Sequence, residues 1–229
     1  MGFVALAGGN EFRDNCKAMD KSLLEQLEHQ PPRVVILPTA AIKGSPRMAA
    51  ENGVRHFKAL GADASAVMVI THEDANDPAL FTSLTEADLV YIAGGDPWYL
   101  LETLRDTAIL LEILAVQGRG GVIAGSSAGA MVLAEKMRTE NSIGWIDGLG
   151  VVKNVGVLPH HQNADHEAVK RLQAQLEPLV SILGIDEATA CVRDNKEPND
   201  WQVVGIGGVT VYTGASVMRY PAGQRFSLP

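Results

Sequence analysis

The chain has 229 residues, 46% of them apolar and 20% charged, with 23 glycines and a formal net charge of −8. That is an ordinary globular composition rich in turns, and its acidic balance argues against nucleic acid or an anionic membrane surface as the main partner. Two cysteines, Cys16 and Cys191, are too few for a disulfide framework and suit a reducing cytoplasm, and no apolar stretch approaches the ~20 residues of a membrane span.

The N-terminus, "MGFVALAGGNEF", lacks a basic n-region and reads as a first strand, Phe3–Ala7, ending at Gly8-Gly9, rather than as a signal peptide. A helix is predicted from about Asn15 to Gln30, with Leu23, Leu24 and Leu27 on one face and Pro31-Pro32 as its stop. Next come a strand at Val34–Leu37, a helix from Arg47 to Leu60 and a strand at Ala66–Ile70. Leu89–Ala93 ends at Gly94-Gly95-Asp96, Pro97 to Val116 reads as helix, and Val122–Ala124 runs into Gly125-Ser126-Ser127. β-branched runs bounded by glycine and followed by helices predict a parallel sheet covered on both faces. After about Ser142 the pattern turns strand-rich, with Val155–Leu158, Ile185-Asp186, Cys191-Val192, Gln202–Val204 and Val209–Tyr212, interrupted by one helix from Asp165 to Leu179. No linker or repeat divides the chain, so residues 1–229 are expected to form a single α/β domain with a mixed sheet.

Ligands of open α/β sheets bind outside the carboxyl ends of the strands, where the stretches at 94–96 and 125–127 both lie. Gly125-x-Ser127-x-Gly129 has the form of a nucleophile elbow: a sharp strand-to-helix turn exposes the central hydroxyl, and small neighbours let the helix pass close to the strand. The Ala128 amide is then placed to donate to an oxyanion, with Gly95 or Asp96 supplying a second donor. Ser126 sits one position early and reads as a turn residue. A packing turn or a phosphate cradle is the competing explanation for such a glycine-rich segment.

A serine nucleophile needs a base. Of the six histidines, His29 and His56 lie on helices, His72 lies in the polar loop "THEDAND", and His166 opens a helix. His160 and His161 close the apolar run "VGVLPHHQ" at a strand end, where one of them can reach Ser127. No HExxH, paired-cysteine or clustered His/Asp pattern points to a metal, and no cofactor is called for.

"AGSSAGAMVLAE", "YIAGGDPWYLLETL", "LPHH" and "LGIDEATA", in their relative positions over Phe3 to about Ala190, resemble the peptidase S51 group. That group comprises aspartyl dipeptidases and cyanophycinases on a class I glutamine amidotransferase-like (flavodoxin-like) fold, a three-layer sandwich with a mostly parallel central sheet. The resemblance implies Ser127 as nucleophile, Gly95 and Ala128 as oxyanion donors, and a base at His160 or, in a second alignment, His161, with His160 preferred. It implies Glu140 or Asn141 as the group orienting the imidazole, because the stretch Arg138–Ser142 matches the segment that carries a carboxylate in the dipeptidase, with Ser142 at the acid's own position. Asp186-Glu187 reads as a strand-closing cap or a substrate contact. Asp96 and Trp98 stand in the segment that contacts substrate, although the group's Gly-Gly-Asn-Gln is here Gly94-Gly95-Asp96-Pro97. The basic residues that follow the cyanophycinase histidine are missing from "QNADHEAVKRL", which weakens cyanophycin as substrate.

These features predict a cytoplasmic serine peptidase that hydrolyses a short peptide or isopeptide bond next to an aspartyl residue, and the resemblance implies a homodimer. The alternatives are a non-catalytic small-molecule-binding member of the same fold, or a glutamine amidotransferase-like subunit, which would require cysteine at the elbow.

Overall fold

The computed structural model describes residues 2–138, 144–194, 196–214 and 216–229. β1 (Phe3–Ala7), β2 (Arg33–Leu37), β3 (Asp63–Ala66), β4 (Leu89–Ile92) and β5 (Val122–Ser126) pair in parallel in the order β1-β5-β4-β2-β3. The remaining strands are β6 (Ala134–Met137), β7 (Ile146–Asp147), β8 (Val152–Leu158), β9 (Ser181–Ile185), β10 (Thr189–Asp194), β11 (Asp200–Gly205), β12 (Gly208–Tyr212), β13 (Val217–Pro221) and β14 (Arg225–Ser227). β10, β11 and β14 continue the first sheet antiparallel beyond β1, making eight strands. The others form a six-stranded sheet of order β13-β12-β9-β8-β6-β7, in which β8 and β9 run parallel.

The helices are α1 (Lys17–Leu24), α2 (Pro46–Ala59), α3 (Pro97–Leu104), α4 (Ala108–Gly118), α5 (Ala128–Leu133) and α6 (His166–Gln173). Alternate residues of the parallel strands enter two cores, as the period of two requires. Ala5, Ile36, Tyr91 and Ala124 pack with Leu23, Leu24 and Phe57 of α1 and α2. Val4, Leu37, Ile92 and Ile123 pack with Leu100, Ile113 and Val132 of α3, α4 and α5, and with Val157, Ile185 and Val209 of the second sheet. The architecture is mixed α/β, with a large central sheet covered on both faces.

The single mixed sheet expected from sequence is thus two sheets. Nothing in the alternation of the later strands tells which neighbours they join. The helix predicted over Pro97–Val116 breaks in two because Asp106 adopts φ 58°, a left-handed conformation that cannot propagate a right-handed helix. The strand predicted at Ala66–Ile70 lies earlier. The carbonyls of Val69 and Ile70 are taken by the hydroxyls of Thr39 and Tyr99 at 2.7 and 2.8 Å, so they make no ladder there. α1 stops at Leu24, where Gln26 and Leu27 donate instead to carbonyls three residues back. The serine helix ends after six residues and the chain enters β6. Among the described residues no helix is long and apolar enough to cross a membrane.

Candidate active site

Ser127 follows β5, which lies between β1 and β4, and adopts φ 49°, ψ −109°. A residue with a Cβ avoids this region unless its surroundings fix it there. Here the Ser127 N–H donates to the Ala7 carbonyl at 2.9 Å, and its carbonyl accepts from the Met131 N–H at 3.0 Å. The flanking glycines permit the approach of α5: a Cβ on Gly125 would sit 2.5 Å from the Gly129 carbonyl, and one on Gly129 would sit 2.2 Å from the Ile92 oxygen. Ser126 is fully buried, and its hydroxyl donates to Glu11 Oε2 at 2.9 Å.

His160 and Glu187 come from the second sheet. They follow β8 and β9, whose parallel pairing ends at Leu158 and Gly184 and brings the two loops side by side. His160 Nε2 lies 3.0 Å from Ser127 Oγ, and its Nδ1 lies 2.8 Å from Glu187 Oε1. A carboxylate only accepts, so Nδ1 carries the proton and Nε2 is left to accept from the serine hydroxyl. The tip of β1 ties both loops down: the His160 N–H donates to the Gly8 carbonyl at 2.9 Å and the Ala188 N–H to the Gly9 carbonyl at 3.0 Å. Gly9, at φ 113°, lies so near the imidazole that a Cβ there would meet His160 Cε1 at 2.3 Å.

Ser127 and His160 open into a cleft of about 610 Å³ at the carboxyl ends of the parallel strands, walled by Ala40, Lys43, Gly95, Trp98, Met131 and Arg138. A second cleft, of about 680 Å³, lies around Phe3, Arg33 and Gly121 at the opposite ends of the strands, away from this cluster and from the usual ligand position. The amides of Gly95 and Ala128 have no hydrogen-bond partner among the described residues. Asp96 lines the cleft, but its carboxylate is engaged. Oδ1 caps α3 by accepting from the N–H groups of Trp98 and Tyr99 at 3.0 Å each, and Oδ2 pairs with Lys43 at 3.0 Å. The Tyr99 amide, followed by Lys43, holds its pKa below the usual carboxylate value. Trp98 is 48% exposed, which leaves an apolar wall free for a ligand. Arg138 faces the Trp145 ring at 5.9 Å, and its buried Nη1 has no acceptor among the described residues.

His161, the alternative base, is turned away from Ser127. β8 ends before it, and His160 takes a left-handed conformation (φ 53°, ψ 44°), so the chain turns here instead of alternating as a strand. The His161 ring is buried, packed against Gly184, and its Nε2 meets the Tyr212 hydroxyl at 2.7 Å. His166 Nδ1 shares that hydroxyl. Burial, with the neighbouring His166 adding to it, pulls the His161 pKa down from 6.5 to about 4. A histidine held neutral in this way stabilises the fold above its free pKa, and that contribution is lost as the pH falls from 6.5 toward 4. From this group alone, the free energy of urea unfolding should drop by about 2 kcal/mol between pH 7 and pH 5. A His161→Asn variant should lack that part of the slope; parallel curves for variant and wild type would contradict the assignment.

Glu140, with Asn141 and Ser142, lies outside the described residues. The carboxylate facing His160 is Glu187, which sequence reasoning left as a cap or substrate contact. Its neighbour Asp186 does have a structural role, accepting from the Gly208 N–H at 2.9 Å and pairing with Arg219. Glu11 and Gly9 were also missed, although the glycine pair after β1 was a signal that the chain passes close to something there.

Residues 3–199 match the model of peptidase family S51. Peptidase E of Citrobacter koseri is 29% identical over 117 residues, 46% of this chain and 51% of that protein, so the match spans about half the relative's length. Peptidase E of a Nostoc species is 24% identical over 195 residues, 79% of this chain and 74% of the relative. The crystal structure of a peptidase from an acI-B1 actinobacterium is similar at a TM-score of 0.85 and 30% identity, over 100% of this chain and 97% of that one. With a serine elbow between β5 and α5 and a match over nearly its whole length, the chain belongs to peptidase family S51, a family of hydrolases.

Proposed function

We propose that the protein is a cytoplasmic serine peptidase that hydrolyses a short peptide or isopeptide bond beside an aspartyl residue through an acyl-enzyme. The observation that carries the reading is the unbroken line Ser127–His160–Glu187, with contacts of 3.0 and 2.8 Å. His160 Nε2 takes the Ser127 proton as Oγ attacks the carbonyl carbon, and Glu187 holds the ring in the accepting tautomer and stabilises the imidazolium. The amides of Gly95 and Ala128 receive the oxyanion, each such donor being worth about 100-fold or more in kcat. The imidazolium then protonates the leaving amine, and a water activated by the same nitrogen releases the acid and frees Ser127.

Lys43 and Arg138 on the cleft wall support an acidic group beside the scissile bond, and Trp98 supports an apolar one further along. Ammonia-delivering chemistry is disfavoured because the elbow carries serine and both cysteines, Cys16 and Cys191, are buried.

The test is a panel of dipeptides, Asp-Leu, β-Asp-Leu, Leu-Asp and Ala-Leu, followed by mass spectrometry of the products. An aspartyl or β-aspartyl substrate should exceed Ala-Leu in kcat/KM by about 100-fold or more, since a site built for a charged group rejects the analogue lacking it. Equal turnover of Ala-Leu would remove the aspartyl preference, and turnover of none would remove the short-peptide reading.

A further inference from the structure

The two oxyanion donors sit on segments from different strands, the turn after β4 and the elbow after β5. Among the described residues no backbone hydrogen bond joins 94–96 to 126–128. The connection is Glu11. Its Oε1 accepts the Gly94 N–H at 2.8 Å, and its Oε2 accepts the Ser126 hydroxyl at 2.9 Å, so one carboxylate spans both segments. The three groups touch: a Cβ on Gly94 would lie 2.8 Å from Glu11 Oε1 and 3.1 Å from Ser127 Cβ.

The loop holding Glu11 is itself fixed. Asn10 and Phe12, on either side, have φ of 66° and 63°, a conformation that persists for a phenylalanine only where packing imposes it. The Phe12 ring supplies that packing, lying 5.2 Å from the ring of Tyr91 and 6.3 Å from that of Phe57. Charge-assisted bonds to a carboxylate are shorter and stronger than neutral ones, and both of these end one residue from an oxyanion donor or from the nucleophile.

We propose that Glu11 is a positioning residue that sets the Gly94-Gly95 turn against the elbow, so that both oxyanion donors are in place before substrate arrives. The inference rests on the serine-peptidase reading. Glu11 does not touch the reacting atoms; it acts through the Gly94 amide and the Ser126 hydroxyl.

The experiment is the kinetics of inactivation by a fluorophosphonate, whose phosphoryl oxygen uses the oxyanion donors as an acyl substrate would. The limiting rate constant and KI are measured separately. Glu11→Ala should lower the rate constant about 100-fold with KI unchanged, the scale of a misplaced catalytic geometry. Glu11→Gln can still accept from Gly94 and donate to Ser126, and should stay within about tenfold of wild type. Ser126→Ala, which removes one of the two bonds, should lose about tenfold. Circular dichroism establishes that each variant is folded; if Glu11→Ala is not, Glu11→Gln and Ser126→Ala carry the comparison.

A wild-type rate in Glu11→Ala, or in Ser126→Ala where the alanine variant does not fold, overturns the proposal. So does a rise in KI alone, which would make Glu11 a ligand contact, or a Glu11→Gln as slow as Glu11→Ala, which would make its charge rather than its geometry decisive. Failure of the wild type to react would instead bring down the serine-peptidase reading beneath it.

Discussion

Ser127→Ala is expected to lower kcat on the best dipeptide of the panel by about 10⁶-fold, and His160→Ala by a similar factor, because nucleophile and base act as a unit. The double variant should be no worse than either single one, since each alone already abolishes the covalent route. What turnover remains comes from binding and from the oxyanion donors, which neither substitution touches. Both residues stand in loops, so the losses should come without a matching change in thermal stability; KM and the unfolding transition check this. Ser126→Ala separates the neighbouring hydroxyls. Ser126 is buried and committed to Glu11, so its removal should cost far less than that of Ser127.

Glu187→Gln is the second large effect, a loss in kcat of about 10⁴-fold. The substitution keeps the size of the side chain but places an N–H donor opposite Nδ1. That favours the tautomer protonated on Nε2, which cannot accept from Ser127 Oγ. The 2.8 Å contact from Nδ1 to Glu187 Oε1 is the basis for this expectation. If the carboxylate of Glu140 orients the imidazole instead, Glu140→Gln should carry the loss and Glu187→Gln should leave kcat within a few-fold of wild type. Measuring kcat for the two variants side by side decides between them.

Four of the five parallel strands, β1, β2, β4 and β5, were legible because they are short apolar runs closed by glycine or proline, whereas β3, with the sequence Asp-Ala-Ser-Ala, was placed too late. The elbow was legible because Gly125, Ser127 and Gly129 form a recognisable five-residue pattern, although the contact that demands Gly129 comes from Ile92 of β4 and the one that holds Ser127 from Ala7 of β1. The His160 position followed from a strand end, but the choice between His160 and His161 did not follow from alternation. It is set by the left-handed turn at His160 and by the Tyr212 hydroxyl, which draws His161 into the second sheet. Glu187 was recognised as closing a strand, yet its role depends on β9 lying next to β8, a pairing that neither strand's composition announces. Glu11 is the extreme case. It is separated by 83 residues from Gly94 and 115 from Ser126, and a glutamate after a glycine turn carries no local mark of either contact.

Ser127 as the nucleophile is tested by intact mass after incubation with a fluorophosphonate, followed by peptide mapping, for wild type, Ser127→Ala, Ser126→Ala and His160→Ala. The expected result is one adduct per wild-type chain, mapped to Ser127, an adduct in Ser126→Ala that forms more slowly but reaches completion, and none in Ser127→Ala or His160→Ala over the same time. An adduct that persists in Ser127→Ala, or a wild type that never reacts, would contradict it.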